Sequence, residues 1–313
     1  VTAVRMHCSD RKEDKIMVGK QERRYQRMIT VVLALISLIM VIPLVLLVVA
    51  SFTSNNEIVL HGYSFFPKEL SLEAYRYIWN ERAQVFHAYG ITILVTAIGT
   101  TIGVMMTLLY AYVLAHEKFP GKTFLAFYLF FTMLFNGGLV PTYIMYTRYL
   151  HMKNTIPALI IPGLLMSAFN VILTRTYIQS NVPAALSEAA KIDGATEFQV
   201  FRKVVLPMCK PIIATVGLFA GLGYWNDWTN GLYYITDTNK FSIQQLLNNM
   251  IKNIEFLSKN ANSNINLASV GGGIPQETVR MAIAIVGLLP ILIVFPFVQK
   301  YFVKGISIGA VKG

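Results

Sequence analysis

An uncharged run of 27 residues extends from Tyr89 to Ala115 and reads YGITILVTAIGTTIGVMMTLLYAYVLA. About 20 consecutive apolar residues suffice for an α-helix to cross the hydrocarbon core of a bilayer, so this run predicts a membrane span. It contains Gly99-x-x-x-Gly103, a spacing that allows close contact with another helix. Gly217-x-x-x-Gly221 has the same spacing. Such pairs also occur by chance in apolar sequences, so the alternative is that neither marks specific packing.

Five further segments have no Lys, Arg, Asp or Glu in their interiors and also predict spans. They are Met28–Ala50, Phe124–Thr147, Ile156–Thr174, Ile212–Asn226 and Met281–Gln299. The apolar core of the first is longer than that of a secretory signal peptide, and no clear cleavage site follows it, so we expect a retained signal anchor. The predicted fold class is all-α: a polytopic membrane protein with six transmembrane helices.

The amino-acid composition also favours a membrane protein. Of the 313 residues, 55% are hydrophobic and 14% are charged, with a mean hydropathy of +0.53. Soluble domains carry about 25% charged residues, which argues against a soluble enzyme or a disordered, nucleic-acid-coating protein. Two cysteines exclude a disulfide framework, and the five histidines show no metal-ligand spacing. The sequence predicts no catalytic residue, metal site, cofactor or nucleic-acid partner.

The distribution of basic residues predicts the orientation in the membrane. If the N-terminus is inside, the inner segments hold 18 Lys and Arg and the outer segments hold 9. Lys and Arg are retained on the cytoplasmic side, so both termini are predicted to be cytosolic. The net charge of +11 is then mainly an orientation signal that faces the anionic inner leaflet.

The connection before the fifth span is predicted to be a helix–turn–helix. Strong helix formers occupy 184–192 after Pro183, and Asp193-Gly194 ends this helix because Gly readily takes the left-handed conformation. Thr196-x-x-Gln199 has the form of a capping box and begins a second helix. Phe198, Phe201 and Val205 are predicted to share one face of that helix. The small side chains of Ala189 and Ala190 would allow a partner groove to approach closely.

Several of these residues resemble the EAA loop of ABC-importer permeases. The matching positions are Glu188, Ala189, Ala190, Asp193, Gly194, Ala195 and Phe201, followed by Pro207 and Pro211. In that family the loop docks into a cleft of the ATPase subunit, so the resemblance implies this role for the same residues, with Glu188 as the main contact. The alternative is an ordinary amphipathic connector.

Other segments narrow the resemblance to carbohydrate-uptake permeases. Residues 301–313 are similar to the C-terminus of MalG-like permeases, and 119–122 and 136–143 look like the LplC/YtcP branch of that subfamily. The resemblance begins near Ile29 and implies the MetI-like fold of type I ABC importers, whereas 1–20 match nothing in it and are consistent with an extended or misassigned start. The implied regions are a basic cytosolic tail (1–27), a first span with an external loop (28–88), a permease domain (89–302) with a coupling loop (181–207), and a cytosolic tail (303–313).

An aromatic and polar cluster at the outer end of the fifth span is the candidate substrate path. Trp225, Asn226, Asp227 and Trp228 combine ring faces that can stack on sugars with groups that can hydrogen-bond hydroxyls. Asp227 is the one acidic residue predicted at membrane depth, where such residues usually face a cavity. The alternative is an interfacial aromatic belt with a helix-end cap. Asn136 in the third span is a further candidate, against a helix-terminating turn.

The predicted function is therefore that of a permease subunit of an ATP-driven carbohydrate importer in the bacterial cell membrane. The resemblance implies a second homologous permease, two cytosolic ATPases, an extracellular solute-binding protein, a sugar substrate and lipid as partners. Gly121-Lys122-Thr123 lacks the first glycine and the preceding strand of a phosphate-binding loop, so the ATPase would be a separate chain. The alternatives are a permease for another small solute, such as an amino acid or phosphate, and a stand-alone secondary transporter or intramembrane enzyme.

Overall fold

The computed structural model describes residues 20–116, 119–260 and 276–310. These residues are almost all helical, and the single β feature among them is an isolated antiparallel bridge between Thr53 and Leu70. The predicted all-α class is therefore confirmed. Most of the predicted basic tail and the last three residues, 311–313, lie outside the described residues.

The helices are numbered here in chain order. They are α1 (Lys20–Ser51), α2 (Asn55–His61), α3 (Glu73–Asn80), α4 (Arg82–Ala115), α5 (Lys122–Leu134), α6 (Leu139–Ile144, continued by a π-helical turn to Tyr149), α7 (Pro157–Ile160), α8 (Ala168–Asn181), α9 (Ala184–Ile192), α10 (Glu197–Val200, continued by a π-helical turn and a last helical turn to Met208), α11 (Lys210–Trp225), α12 (Thr229–Tyr234), α13 (Ile243–Asn260) and α14 (Gln276–Ala310).

Three of these helices are long and apolar enough to cross a membrane on their own: α1, α4 and the first part of α14, Gln276–Val294. Two further candidate spans are bent pairs. The chain bends by 114° between α5 and α6, across a turn in which Gly138 has a φ of 84°. It bends by 81° between α10 and α11, at Cys209. By length and composition the described residues thus supply up to five spans.

The predicted span 156–174 is not one continuous helix. The structure contains α7 and α8 instead, separated by an irregular segment at 161–167. Pro162 lies at the break, and Gly163 has a φ of 72°, a left-handed conformation that stops a helix. Irregular backbone at membrane depth is tolerated where protein surrounds it or where it lines a cavity.

Helix α4 connects the parts of the fold because it contributes to three buried clusters. At its N-terminal end Val85 and Ala88 pack with α3, α13 and α14. In its middle Val95 packs with α7, α11 and α12. At its C-terminal end Leu108 and Leu114 pack with α8, α10 and α11. A displacement at the α10 end can therefore reach the opposite end of the molecule through one helix.

Close helix contacts are present at one of the two small-residue pairs. A Cβ atom added at Gly99 would lie 2.4 Å from Cζ of the buried Tyr224, and one at Gly103 would lie 2.6 Å from the Leu165 carbonyl oxygen. The predicted close approach at Gly99-x-x-x-Gly103 is confirmed. At Gly217 and Gly221 the nearest atoms would be 3.9 and 3.6 Å away, which is ordinary contact.

Candidate functional site

The loop between α8 and α11 has the local structure that its sequence predicts. Helix α9 ends at Ile192, and Gly194 follows with a φ of 81°. The Thr196 Oγ1 accepts a hydrogen bond from the Gln199 amide (3.3 Å), and the Thr196 amide donates to the Gln199 Oε1 (2.9 Å). The predicted capping box is therefore formed. It fixes the direction in which α10 leaves the turn, since it satisfies backbone groups at the start of that helix.

One side of this loop is buried against the membrane helices and the other is exposed. Phe201 and Val205 are buried in the cluster with α4, α8 and α11, so they anchor the loop to the membrane helices. On the other side Ile192 is 87% exposed and Phe198 is 66% exposed. The prediction that Phe198 shares the face of Phe201 was wrong, because Phe201 packs against the membrane helices while Phe198, one turn earlier, lies on the side of the helix that faces away from them.

Six of the residues that match the EAA motif lie on or beside this exposed side, whereas the seventh, Phe201, is buried, so the expectation that it contacts the ATPase was wrong. Glu188, Ala189, Asp193 and Gly194 are exposed, whereas Ala190 and Ala195 are half-buried against the helical cluster. Exposed large apolar side chains beside a rigid turn favour contact with another protein. We call the exposed side of this loop the coupling surface; it is formed by Glu188, Ala189, Ile192, Asp193, Gly194 and Phe198.

A polar cluster ties the coupling surface to α4. Glu197 at the start of α10 forms an ion pair with Lys191 of α9, and its Oε2 accepts a hydrogen bond from the Tyr112 hydroxyl (3.0 Å). His116 Nε2 lies 3.5 Å from the same carboxylate oxygen. The hydrogen bond from Lys191, together with that from Tyr112, lowers the pKa of Glu197 below its usual value. Glu197 therefore joins both helices of the loop to the end of a membrane span.

The four candidate residues at the end of α11 point in different directions. The Trp225 indole Nε1 donates to the Gly287 carbonyl of α14 (3.3 Å), and its ring lies 6.3 Å from that of Tyr89. The Asn226 side-chain amide donates back to the Leu222 carbonyl (3.0 Å). Asp227 Oδ1 accepts from the backbone amides of Thr229 and Asn230, so it caps α12, as the alternative interpretation of this residue predicted.

A cavity of about 310 Å³ opens beside these residues, and we call it the outer cavity. Asn226 and Trp228 form its floor, Gln244, Leu247, Asn248 and Ile251 of α13 form one wall, and Ile283, Ala284, Gly287, Leu288 and Ile291 of α14 form the other. Two of the four candidate path residues thus line it, together with two further amide side chains. Amides and an indole ring are suited to bind hydroxyl groups and a sugar ring.

Asn136 lies elsewhere, in the exposed turn between α5 and α6. Its Oδ1 accepts a hydrogen bond from the Gly138 amide (2.9 Å), the pattern by which Asn stabilises tight turns. This contact agrees with the alternative interpretation of a helix-terminating turn, and the structure does not bring Asn136 together with the Trp225–Trp228 cluster.

Gln244, Asn248 and Lys252 were not singled out by the sequence. All three lie on α13, Ile243–Asn260. Their spacing of four residues places them on one face of that helix. This periodic polar face was a detectable signal, but the sequence alone could not show that α14 and Trp228 stand opposite.

Comparison with known proteins gives a consistent result. The family model described as "Binding-protein-dependent transport system inner membrane component" matches residues 99–308. The chain is 35% identical to the polygalacturonan/rhamnogalacturonan transport system permease protein YtcP of Bacillus subtilis, over 94% of this chain and 100% of that protein. It is 34% identical to protein LplC of the same organism, over 88% of this chain and 90% of that protein.

A solved structure shares the architecture as well. A chain from the crystal structure of a bacterial ABC transporter involved in the import of the acidic polysaccharide alginate matches with a TM-score of 0.74 and 27% identity. The match covers 91% of this chain and 99% of that chain. The apolar spans, the turn at Gly194 and the matched length together show that this chain belongs to the family of binding-protein-dependent transport system inner membrane components.

Proposed function

We propose that this chain is the permease subunit of an ATP-driven ABC importer for carbohydrates and forms half of its translocation pore. The observation that carries the proposal is the coupling surface, which presents Ile192 and Phe198 to solvent on a turn fixed by Gly194 and the Thr196 capping box. A rigid apolar projection of this kind fits a cleft on a partner, and membership of a transport-permease family supports an ATPase as that partner.

The remaining partners follow from the same assignment. Helix α1 is almost entirely exposed along its apolar length, so lipid and a second homologous permease are proposed to cover it. Two ATPase subunits bind on the cytosolic side, and a solute-binding protein delivers substrate on the outside. The excess of Lys and Arg on the coupling-loop side supports an orientation with both termini cytosolic.

The proposed cargo is a carbohydrate, most simply an oligosaccharide. The relatives named above include a permease for polygalacturonan and rhamnogalacturonan, and others carry names for arabinooligosaccharide and for melibiose, raffinose and stachyose import. The outer cavity supports this cargo because amide side chains and an indole ring line it. Trp228 and Asn226 are proposed to lie on the substrate path, with Trp225 and Asp227 shaping its wall. A permease for another small solute is the alternative.

The chain itself is proposed to catalyse nothing. ATP-driven closure of the ATPase dimer would move α9 and α10, and the buried Phe201 would transmit this movement to α4, α8 and α11. A stand-alone secondary transporter would need ionisable groups within several spans for ion coupling. Asp227 is the one acidic residue that the sequence places at that depth, and its carboxylate is engaged with the amides at the start of α12.

Co-purification and coupling test this proposal. When the full chain is co-expressed with the other proposed subunits of the transporter, it should elute together with an ATPase. Glu188→Lys combined with Gly194→Pro should abolish ATP-dependent uptake while membrane insertion is retained, because proline cannot adopt the φ of 81° at Gly194. Gln179→Lys, an exposed position on α8, is the control and should transport normally. Normal uptake by the double variant, or ion-driven uptake by the chain alone, would contradict the proposal.

A further inference from the structure

A positively charged side chain, that of Lys252, lies beside the outer cavity and contacts the Trp228 ring, although Lys252 is not itself one of the residues that line the cavity. Lys252 follows Asn248 by one turn of α13, and its Nζ lies 5.9 Å from the centroid of the Trp228 ring. The ammonium group therefore stands over one face of a ring that forms the cavity floor. A cation held over an indole at this distance is attracted by the ring electrons and is kept in place.

Two neighbouring basic side chains form ion pairs, whereas Lys252 forms none with the residues that the structure describes. Arg280 lies within ion-pair distance of Glu255 (3.7 Å) and Glu277 (3.1 Å), and Lys240 pairs with Asp237 (2.8 Å). Among the described side chains, no carboxylate forms an ion pair with Lys252.

The carboxylate of Asp227 is also engaged elsewhere. Asp227, next to Trp228 in the sequence, accepts hydrogen bonds from the backbone amides at the start of α12. The Lys252 ammonium consequently has no carboxylate partner among the described residues and is available to an anionic ligand.

The wall beside Lys252 offers an unused hydrogen-bond donor. The Asn248 side-chain Nδ2 is buried and has no hydrogen-bond partner among the described residues. A buried polar group without a partner destabilises the unliganded protein, so a ligand that accepts a hydrogen bond from it gains that contact at little additional cost. Gln244 lines the same wall one turn earlier and provides a second amide.

We propose that the outer cavity is a binding subsite for a carboxylate-bearing sugar unit, a uronate, whose carboxylate pairs with Lys252. The hydroxyl groups hydrogen-bond Gln244 and Asn248, and the apolar ring face lies against Trp228 and the α14 wall. The volume of about 310 Å³ is at the lower end of the range of about 300–1,000 Å³ for small-ligand pockets, which suits one or two sugar units. This inference rests on the proposed function and specifies its substrate class.

Binding measurements with a matched pair of probes test the subsite. Digalacturonate and its dimethyl ester have the same rings and hydroxyls, but only the first is charged. Each is titrated calorimetrically into the complete transporter in lipid nanodiscs, without nucleotide and without the solute-binding protein. Lys252→Gln should weaken digalacturonate binding about tenfold, the effect of losing one charge-assisted hydrogen bond, and leave ester binding unchanged.

Two further variants make the test specific. Asn248→Leu should weaken binding of both probes, since it removes a hydroxyl contact that both share. Lys153→Gln removes another exposed lysine on a predicted outer segment and should change neither affinity. Equal weakening of both probes by Lys252→Gln, no effect of any cavity substitution, or no binding of either probe would overturn the inference.

The failure of this inference is distinguishable from failure of the proposed function. Co-elution with the ATPase and the effect of the Glu188 and Gly194 substitutions depend on the cytosolic loop, not on the outer cavity. Suppose that the transporter passes those tests, but that the Lys252 variant binds each probe with the same affinity as the wild type. The chain would then still be part of an importer, and it would recognise acidic sugars elsewhere or not at all.

Discussion

The contact between α4 and the irregular segment at 161–167 should be sensitive to a single methyl group. In Gly103→Ala the new Cβ would lie 2.6 Å from the Leu165 carbonyl oxygen, about 0.8 Å short of the 3.4 Å at which ordinary contact begins. The obstructing atom belongs to the backbone, so a side-chain rotation cannot relieve the overlap. The segment must shift, and overpacking of this kind costs about 1–3 kcal/mol.

Two opposing effects set the net result. Replacing Gly by Ala inside a helix favours folding by about 0.8–1 kcal/mol. Subtracting this from the overpacking cost leaves a net destabilisation of about 1 kcal/mol. For a chain of 313 residues that corresponds to a fall in Tm of about 1–2 °C. Gly217→Ala gains the same helix propensity. Its new Cβ would lie 3.9 Å from the Val104 side chain, an ordinary contact, so the Tm of this variant should stay the same or rise.

The assay is the thermal unfolding of the purified chain in one detergent, followed by fluorescence-detected size-exclusion chromatography. Gly103→Ala and Gly217→Ala are compared with wild type in parallel, because both remove a glycine from a membrane helix. Equal shifts of Tm in the two variants would refute the reasoning, since they would show that helix propensity, and not close packing against Leu165, determines the outcome.

Other expected outcomes concern the coupling surface. Phe198→Asp should abolish co-elution with the ATPase and leave Tm within about 1 °C of wild type, because surface substitutions usually change stability little; Val200→Asp, at a fully buried neighbouring position, should prevent folding and is the matched contrast. Gly194→Ala should lower Tm by an amount typical of about 1 kcal/mol, since L residues pay that cost in the left-handed region. Glu197→Gln should reduce sugar transported per ATP hydrolysed in proteoliposomes, because the ion pair with Lys191 is lost and the link to Tyr112 weakens; unchanged stoichiometry would contradict this. The pKa of Glu197 is lowered in the folded protein, so its contribution to stability is present above its ordinary value of 4.5 and is lost as the pH falls through the lowered value, which thermal unfolding between pH 7 and pH 3 measures.

The two candidate regions are connected by the fold in a way that suits transport. Phe201 and the Glu197 cluster join the loop that carries the coupling surface to the C-terminal end of α4. The N-terminal end of the same helix packs against α13 and α14, which form the walls of the outer cavity. A movement of α4 is therefore expected to alter the cavity without any direct contact between the two regions.

The sequence determined those properties that depend on short stretches of chain. Uncharged runs such as Tyr89–Ala115 specified membrane-spanning helices, since length and hydropathy suffice for that inference. Gly194 and the Thr196–Gln199 pair specified the turn of the coupling loop, because both act through backbone groups within a few residues. The orientation predicted from the Lys and Arg distribution likewise needs no tertiary information.

Tertiary structure decided which side chains meet and where a helix is interrupted. Hydropathy could not distinguish a continuous span from α7 and α8, because both contain the same apolar residues and only the packing around 161–167 accommodates the break. Phe198 is exposed and Phe201 is buried although they are three residues apart, because only Phe201 reaches the cluster formed with α4, α8 and α11. Trp228, Asn248 and Lys252 meet only because α13 folds back over the end of α11. Contacts between residues distant in the chain depend on this three-dimensional packing, and local sequence patterns do not encode it.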